Sequence, residues 1–236
     1  MTQEDVHFVD KSAESEVGSP ADSAVSVPTL SKPGLLVMDV DSTLIDEEVI
    51  DELGVVAGCG EEIAGVTARA MRGELEFCDA LRARVALLEG LPISVFDTVH
   101  DKLHFTKGAL ELIDTLHEHG WKIGVVSGGF HEVVDMLAAE SHIDYWIANR
   151  LEVEDGHLTG KVLGEIVCKT VKLHALQTWA DRLGIPMSQT VAVGDIPMIQ
   201  AAGLGLAFCA KPKTQLAADK AINDRDLTHV LDYLRR

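Results

Sequence analysis

The run Leu35-Leu36-Val37-Met38, closed by Asp39-Val40-Asp41, constrains this chain more than any other feature. Uninterrupted Leu, Val and Met read as a buried strand, so the two carboxylates emerge where that strand leaves its sheet. Ligands of open α/β sheets bind there. Side chains alternate along extended backbone, which lets Asp39 and Asp41 face one side while Val40 points away. Two carboxylates that close repel each other unless a proton or a positive group lies between them. A divalent cation with a phosphoryl substrate supplies such a setting, one aspartate acting as nucleophile and the other as proton donor to the leaving oxygen. Taken alone, the pair fits equally well a strand end capped by acidic turn residues.

The rest of the chain decides between these readings. Residues 1–33 are rich in Ser, Ala, Glu, Asp and Val and carry Pro20, Pro28 and Pro33 without sustained helical periodicity. They are expected to form a disordered acidic tail, with Val25, Val27 and Leu30 able to pack locally. Residues 34–50 and 105–236 are expected to make the core domain, and residues 51–104 a small helical domain inserted over the strand end. In that insertion Ile63, Met71, Leu75, Phe77, Leu81, Val85 and Leu88 recur at helical intervals. Further strands are expected at 121–126, 145–148, 190–193 and 204–209, helices at 107–118, 131–139, 169–183 and 226–234, and a hairpin about Asp155-Gly156.

Strands that alternate with helices imply an α/β fold with a Rossmann-like parallel sheet, and this order puts Asp39, Ser127 and Asp195 at carboxyl ends of strands. That convergence favours a catalytic site. In order along the chain, the informative stretches are Asp39-Val40-Asp41-Ser42-Thr43-Leu44, Glu48, Met71 to Phe77 with Arg84, and Val125-Val126-Ser127-Gly128-Gly129-Phe130. They continue with Ala148-Asn149-Arg150-Leu151, Leu158-Thr159-Gly160, Lys172, Thr190 to Asp195, and Ala207 to Pro212.

From about Leu35 to Leu234 these stretches resemble the haloacid dehalogenase superfamily, and within it the phosphoserine phosphatases. The resemblance implies that Asp39 attacks phosphorus to form an aspartyl phosphate and that Asp41 protonates the departing serine oxygen. It implies Mg²⁺ held by Asp39, the Asp41 main-chain carbonyl and Asp195, a hard cation among oxygen ligands. Ser127, Gly128 and Lys172 would contact phosphate, with Lys169 the competitor to Lys172. Glu48 would meet the substrate ammonium and Arg84 its carboxylate, while Met71 and Phe77 wall the site from water. The small-molecule partner implied is O-phospho-L-serine, and the reaction completes serine biosynthesis.

The last motif departs from the family. Similar enzymes carry Gly-Asp-Gly-x-Asn-Asp, whereas this chain runs Gly194-Asp195-Ile196-Pro197 and is about four residues shorter. Asp195 matches either the first or the second family aspartate; the register of Val191 to Gly194 favours the first. Weakened Mg²⁺ binding and a loss of roughly a hundredfold or more in rate are expected. Two alternatives follow: a phosphatase for another small phosphomonoester, or a catalytically silent protein that binds phosphoserine.

Composition narrows the partners. A net charge of −18 over 236 residues disfavours nucleic acid and anionic membrane surfaces. Cys59, Cys78, Cys168 and Cys209 are scattered without metal-ligand spacing, which points to reduced thiols in a cytoplasmic protein. No apolar stretch suits a signal peptide or membrane span, and nothing in the sequence sets an oligomeric state.

Overall fold

The computed structural model describes residues 27–236. Among them one sheet gathers seven strands: β1 (Leu35–Asp39), β2 (Lys122–Phe130), β3 (Tyr145–Glu154), β4 (His157–Leu163), β5 (Thr190–Val193), β6 (Leu204–Phe208) and β7 (Lys220–Ile222). Their order is β4-β3-β2-β1-β5-β6-β7, and every pair is parallel apart from the β3–β4 hairpin. This is the α/β architecture that the alternation of elements implies.

The apolar run of β1 sits at the centre because both of its faces are covered. Leu36 and Met38 pack with Leu112 and Leu116 of α5 (Ala109–Glu118) and Val133 and Leu137 of α6 (His131–Glu140). Leu35 and Val37 pack on the other face with Leu176 and Trp179 of α7 (Lys169–Leu183) and Met198 and Ile199 of α8 (Ile196–Ala201). Period-two alternation thus feeds two apolar layers at once, each buried Leu or Met contributing about 2 kcal/mol.

Register then sets the rim. Met38 lies opposite Val125 on one side and Val193 on the other, so Asp39, Ser127 and Asp195 all leave the sheet at the same edge. Between β1 and α5 the chain forms α1 (Val49–Ala57), α2 (Gly60–Met71), α3 (Phe77–Ala86) and α4 (Val95–His100). It enters and leaves this helical group side by side: Ile45 bridges Phe105, the Asp46 amide donates to the His104 carbonyl at 2.9 Å, and the Thr106 amide to the Leu44 carbonyl at 2.9 Å.

Several expectations need correction. Residues 1–26 of the expected tail lie outside the described residues, but 27–33 are folded against the sheet. Gln189 accepts from the Thr29 amide at 3.0 Å and donates to the carbonyls of Thr29 at 2.7 Å and Lys32 at 3.0 Å, and the Trp121 indole donates to the Leu30 carbonyl. A buried side-chain amide and a bridge between Thr29 and Arg235 hold the segment, which composition cannot reveal. β2 runs past the expected strand end at 126, through Ser127-Gly128-Gly129, with a register shift before Phe130. β3 merges the short strand with the hairpin, whose Asp155 (φ 47°) and Gly156 (φ 76°) both take the left-handed conformation of a two-residue turn. The final helix is a 3₁₀ segment, Leu227–Tyr233, and β7 with α9 (Pro212–Ala217) was not anticipated, both being short.

Candidate active site

Past Asp39 the backbone tightens into a π-type turn over Val40–Leu44, with Ser42 in the left-handed region at φ 54°. The turn keeps both aspartates at the rim. Asp39 Oδ1 accepts from the Val40 amide at 3.0 Å, and Asp41 Oδ1 accepts from the Val49 amide, at the start of α1, at 2.8 Å. Ser42 Oγ donates to Glu48 Oε1 at 2.7 Å, which ties the turn to the helical group.

Three other elements complete the site. Lys172 reaches from α7, almost fully buried, and its Nζ donates to Asp39 Oδ2 at 2.6 Å and to Asp195 Oδ2 at 3.1 Å. Ser127 Oγ donates to Asp41 Oδ2 at 3.1 Å and accepts from the Gly129 amide at 2.8 Å. A Cβ on Gly129 would stand 3.0 Å from both of those oxygens, so glycine is what lets the strand pass Asp41. Buried Asn149 holds the irregular stretch from behind, donating to the carbonyls of Gly128 at 2.8 Å and Gly129 at 3.2 Å.

Over this rim lies a cavity of about 490 Å³. Asp39, Asp41, Glu48, Met71, Phe77, Arg84, Gly128, Lys172 and Asp195 all line it. Ser127 does not; it sits behind Asp41. Arg84 bonds within the helical group, to the Ala80 carbonyl at 3.3 Å and Thr67 Oγ1 at 3.5 Å, and Lys169 borders an adjoining cavity of about 340 Å³ that Phe77, Lys172 and Asp195 also line. Over the cavity the helical group meets the core where a Cβ on Gly128 would stand 3.1 Å from the Phe77 ring, and where Lys211 Nζ lies 3.2 Å from Met71 Sδ. Lys211, Ile50, Leu81 and Gly129 line the cavity without having been singled out. For Lys211 a signal existed, because it follows the strand end at Phe208.

Charge in the site is unevenly answered. Burial pushes the Asp39 carboxyl up, and the Lys172 ammonium only partly offsets this. Burial likewise raises Asp41 to about 6, with help from the charges of Glu48 and Asp39, so it holds a proton more readily than an ordinary aspartate. For Lys172 burial disfavours the charge, but Asp39 and Asp195 overrule it and its pKa rises. Among the described residues no three His, Cys, Asp or Glu side chains converge into a metal cluster. The expected set needs only two carboxylates and one carbonyl. Asp39 and Asp195 present oxygen donors that share a single ammonium, an excess of negative charge that suits a hard divalent cation.

Such an arrangement can perform nucleophilic attack by a held carboxylate with proton donation from a second. Comparison with known proteins bears on it directly. Residues 36–198 match the family described as haloacid dehalogenase-like hydrolase. The phosphoserine phosphatase of Streptococcus thermophilus is 58% identical over 205 residues, covering 85% of this chain and 95% of that protein. That of Lactococcus lactis is 54% identical, covering 87% and 97%. Among solved structures, a phospho-aspartyl intermediate analogue of phosphoserine phosphatase superposes with a TM-score of 0.81 at 43% identity, over 86% of this chain and 100% of its own. A substrate-bound phosphoserine phosphatase complex gives 0.81 at 42% identity, over 86% and 99%.

Proposed function

This chain belongs to the haloacid dehalogenase-like hydrolases, and from that premise we infer that it hydrolyses O-phospho-L-serine to L-serine and phosphate, the reaction that completes serine biosynthesis. The observation that carries the reading is the Lys172 ammonium shared by Asp39 and Asp195, beneath a cavity walled by both the sheet rim and the helical group.

Asp39 is the nucleophile. Its Oδ1 is fixed by the Val40 amide, so attack on phosphorus needs little reorganisation, and Lys172 holds charge beside it as the aspartyl phosphate forms. Asp41, whose pKa raised to about 6 lets it hold a proton more readily than an ordinary aspartate, donates it to the serine oxygen and then takes one from the hydrolytic water. Val49 and Ser127 orient that carboxyl from two sides. Mg²⁺, held by the Asp39 and Asp195 carboxylates and the Asp41 carbonyl, would supply positive charge to the phosphate. Residues 51–104 act as the cap: Glu48 at its base meets the ammonium, Arg84 the carboxylate, and Met71 with Phe77 exclude water. Four free cysteines support a reducing compartment, and on that ground we place the protein in the cytoplasm.

A second reading has its own observation. α8 begins at Ile196, directly after Asp195, with Pro197 in its first turn and no intervening loop to add oxygen ligands. That favours a protein that binds phosphoserine and releases phosphate slowly or not at all. Phosphate release from L-phosphoserine with and without Mg²⁺, beside Asp39→Asn, separates the two. Turnover that requires both metal and Asp39 supports the hydrolase; binding without release supports the silent protein.

A further inference from the structure

We propose that Lys211 is an additional binding residue for the phosphate group of the ligand, an assignment that rests on the phosphomonoesterase reading above. Lys211 follows β6 on the same carboxyl rim as Asp39 and Asp195. It lines the 490 Å³ cavity and also a neighbouring one of about 440 Å³, and Asp39 and Asp195 border both.

Its surroundings set it apart from the other two cations on the cavity wall. Lys172 is held by two carboxylates. Arg84 bonds to the Ala80 carbonyl and to Thr67, and the charges of Asp51, Glu48 and Asp41 act on it. The Lys211 ammonium has, among the described residues, only the Met71 thioether at 3.2 Å and no carboxylate within ion-pair distance. A thioether is a weak acceptor for a group that carries three donors. The contact holds the amine in place without answering its charge.

A phosphate monoester brought against Asp39 needs that charge. Asp39, Asp41, Glu48 and Asp195 stand on the cavity wall, and Lys172 is already divided between two of them. The exposed four-carbon stem of Lys211 allows its amine to turn from Met71 toward a dianion in the cavity, where it meets phosphate oxygens as a charge-assisted donor. Because Met71 ends α2, the same movement exchanges a contact between the helical group and the core for one with ligand.

The test uses inorganic phosphate and L-serine as separate probes, titrated calorimetrically into the intact chain with Mg²⁺, beside kcat and KM for L-phosphoserine. Lys211→Met keeps the length of the side chain and removes its charge. It should weaken phosphate binding and raise KM about tenfold, the worth of one partly exposed charge-assisted bond, with kcat changed less than about threefold. Lys211→Arg should restore both to within about threefold, since the charge returns on a different geometry. Lys213→Met, at an exposed position of α9 bordering neither cavity, should leave both unchanged. The assignment is overturned if Lys211→Met binds phosphate as the parent does, if Lys213→Met weakens it equally, or if L-serine binding falls instead. A parent chain that binds phosphate in a Lys211-dependent way yet never turns over phosphoserine refutes the hydrolase reading and keeps this contact. Turnover unaffected in Lys211→Met does the reverse.

Discussion

The rim at the end of β1 and the rim at the end of β5 are neighbours in the sheet but are held very differently. Asp39 and Asp41 are fixed by the amides of Val40 and Val49, by Ser127 and by Lys172. Asp195 has 41% of its side chain exposed, and among the described residues its carboxylate meets Lys172 alone. α8 follows it directly, and a cavity of about 440 Å³ borders Gly194, Asp195, Cys209 and Lys211. Backbone amides preorganise a carboxylate at no cost in side-chain entropy, whereas one long lysine leaves its partner freer. The carboxylates at β1 are therefore fixed from several sides, whereas the one at β5 is held by a single side chain.

The largest effect should come from the tightly held side. Asp39→Asn removes the carboxylate proposed as nucleophile and should cut phosphate release roughly a thousandfold or more, read in a discontinuous phosphate assay. Residual turnover close to that of the parent would end the comparison. Next, Lys172→Met leaves Asp39 and Asp195 facing each other without a cation. A drop of about 3 kcal/mol in unfolding free energy at pH 8, with at least about a hundredfold loss of kcat/KM, is expected from urea titration and steady-state kinetics. An unchanged stability would show that Asp39 is not charged in the folded chain.

Asp195→Asn probes the looser side. It should raise the Mg²⁺ concentration for half-maximal turnover about tenfold while sparing kcat far more than Asp39→Asn does. Equal losses in both variants would erase the contrast between the rims.

Stability against pH sharpens the same comparison. Asp41 rises from its ordinary 3.8 to about 6 on folding, so between those values the folded state binds more protons than the unfolded one. Its contribution to stability therefore falls as pH climbs from about 4 to about 6, and the penalty is complete above that. Asp41→Asn removes the penalty. In chelator, it should stabilise the chain by about 2 kcal/mol at pH 8, less where the cavity admits water, and by almost nothing at pH 4. A gain that is the same at both pH values would exclude titration of Asp41 as its source.

The fold was largely legible because its signals are local and repeated. Apolar runs, the Asp155-Gly156 turn and the strand-end polar residues recur in an order that an α/β sheet explains. The candidate site was legible for a similar reason: its aspartates, serine and glycines cluster at strand ends. Lys172 was harder, since helix spacing cannot distinguish a lysine turned inward from a solvated one; Lys172 pairs with Asp39 and Asp195, whereas Lys169, three residues earlier, does not line the 490 Å³ cavity. What stayed hidden were partnerships across long sequence separations. Gln189 organises residues 29 and 32, Asn149 supports the carbonyls behind Ser127, and Lys211 rests on Met71, each between segments with no common pattern.

By itself the sequence determined the central buried strand, the rim where chemistry gathers and the identity of the carboxylates, because these depend on periodicity and on which residues can leave a sheet. Only the tertiary structure decided how charge is shared there. Lys172 is divided between Asp39 and Asp195, Asp41 is steered by Val49 and Ser127, and Lys211 is left nearly unanswered. Electrostatic coupling depends on distance and burial between groups far apart in the chain, and folding alone sets those quantities.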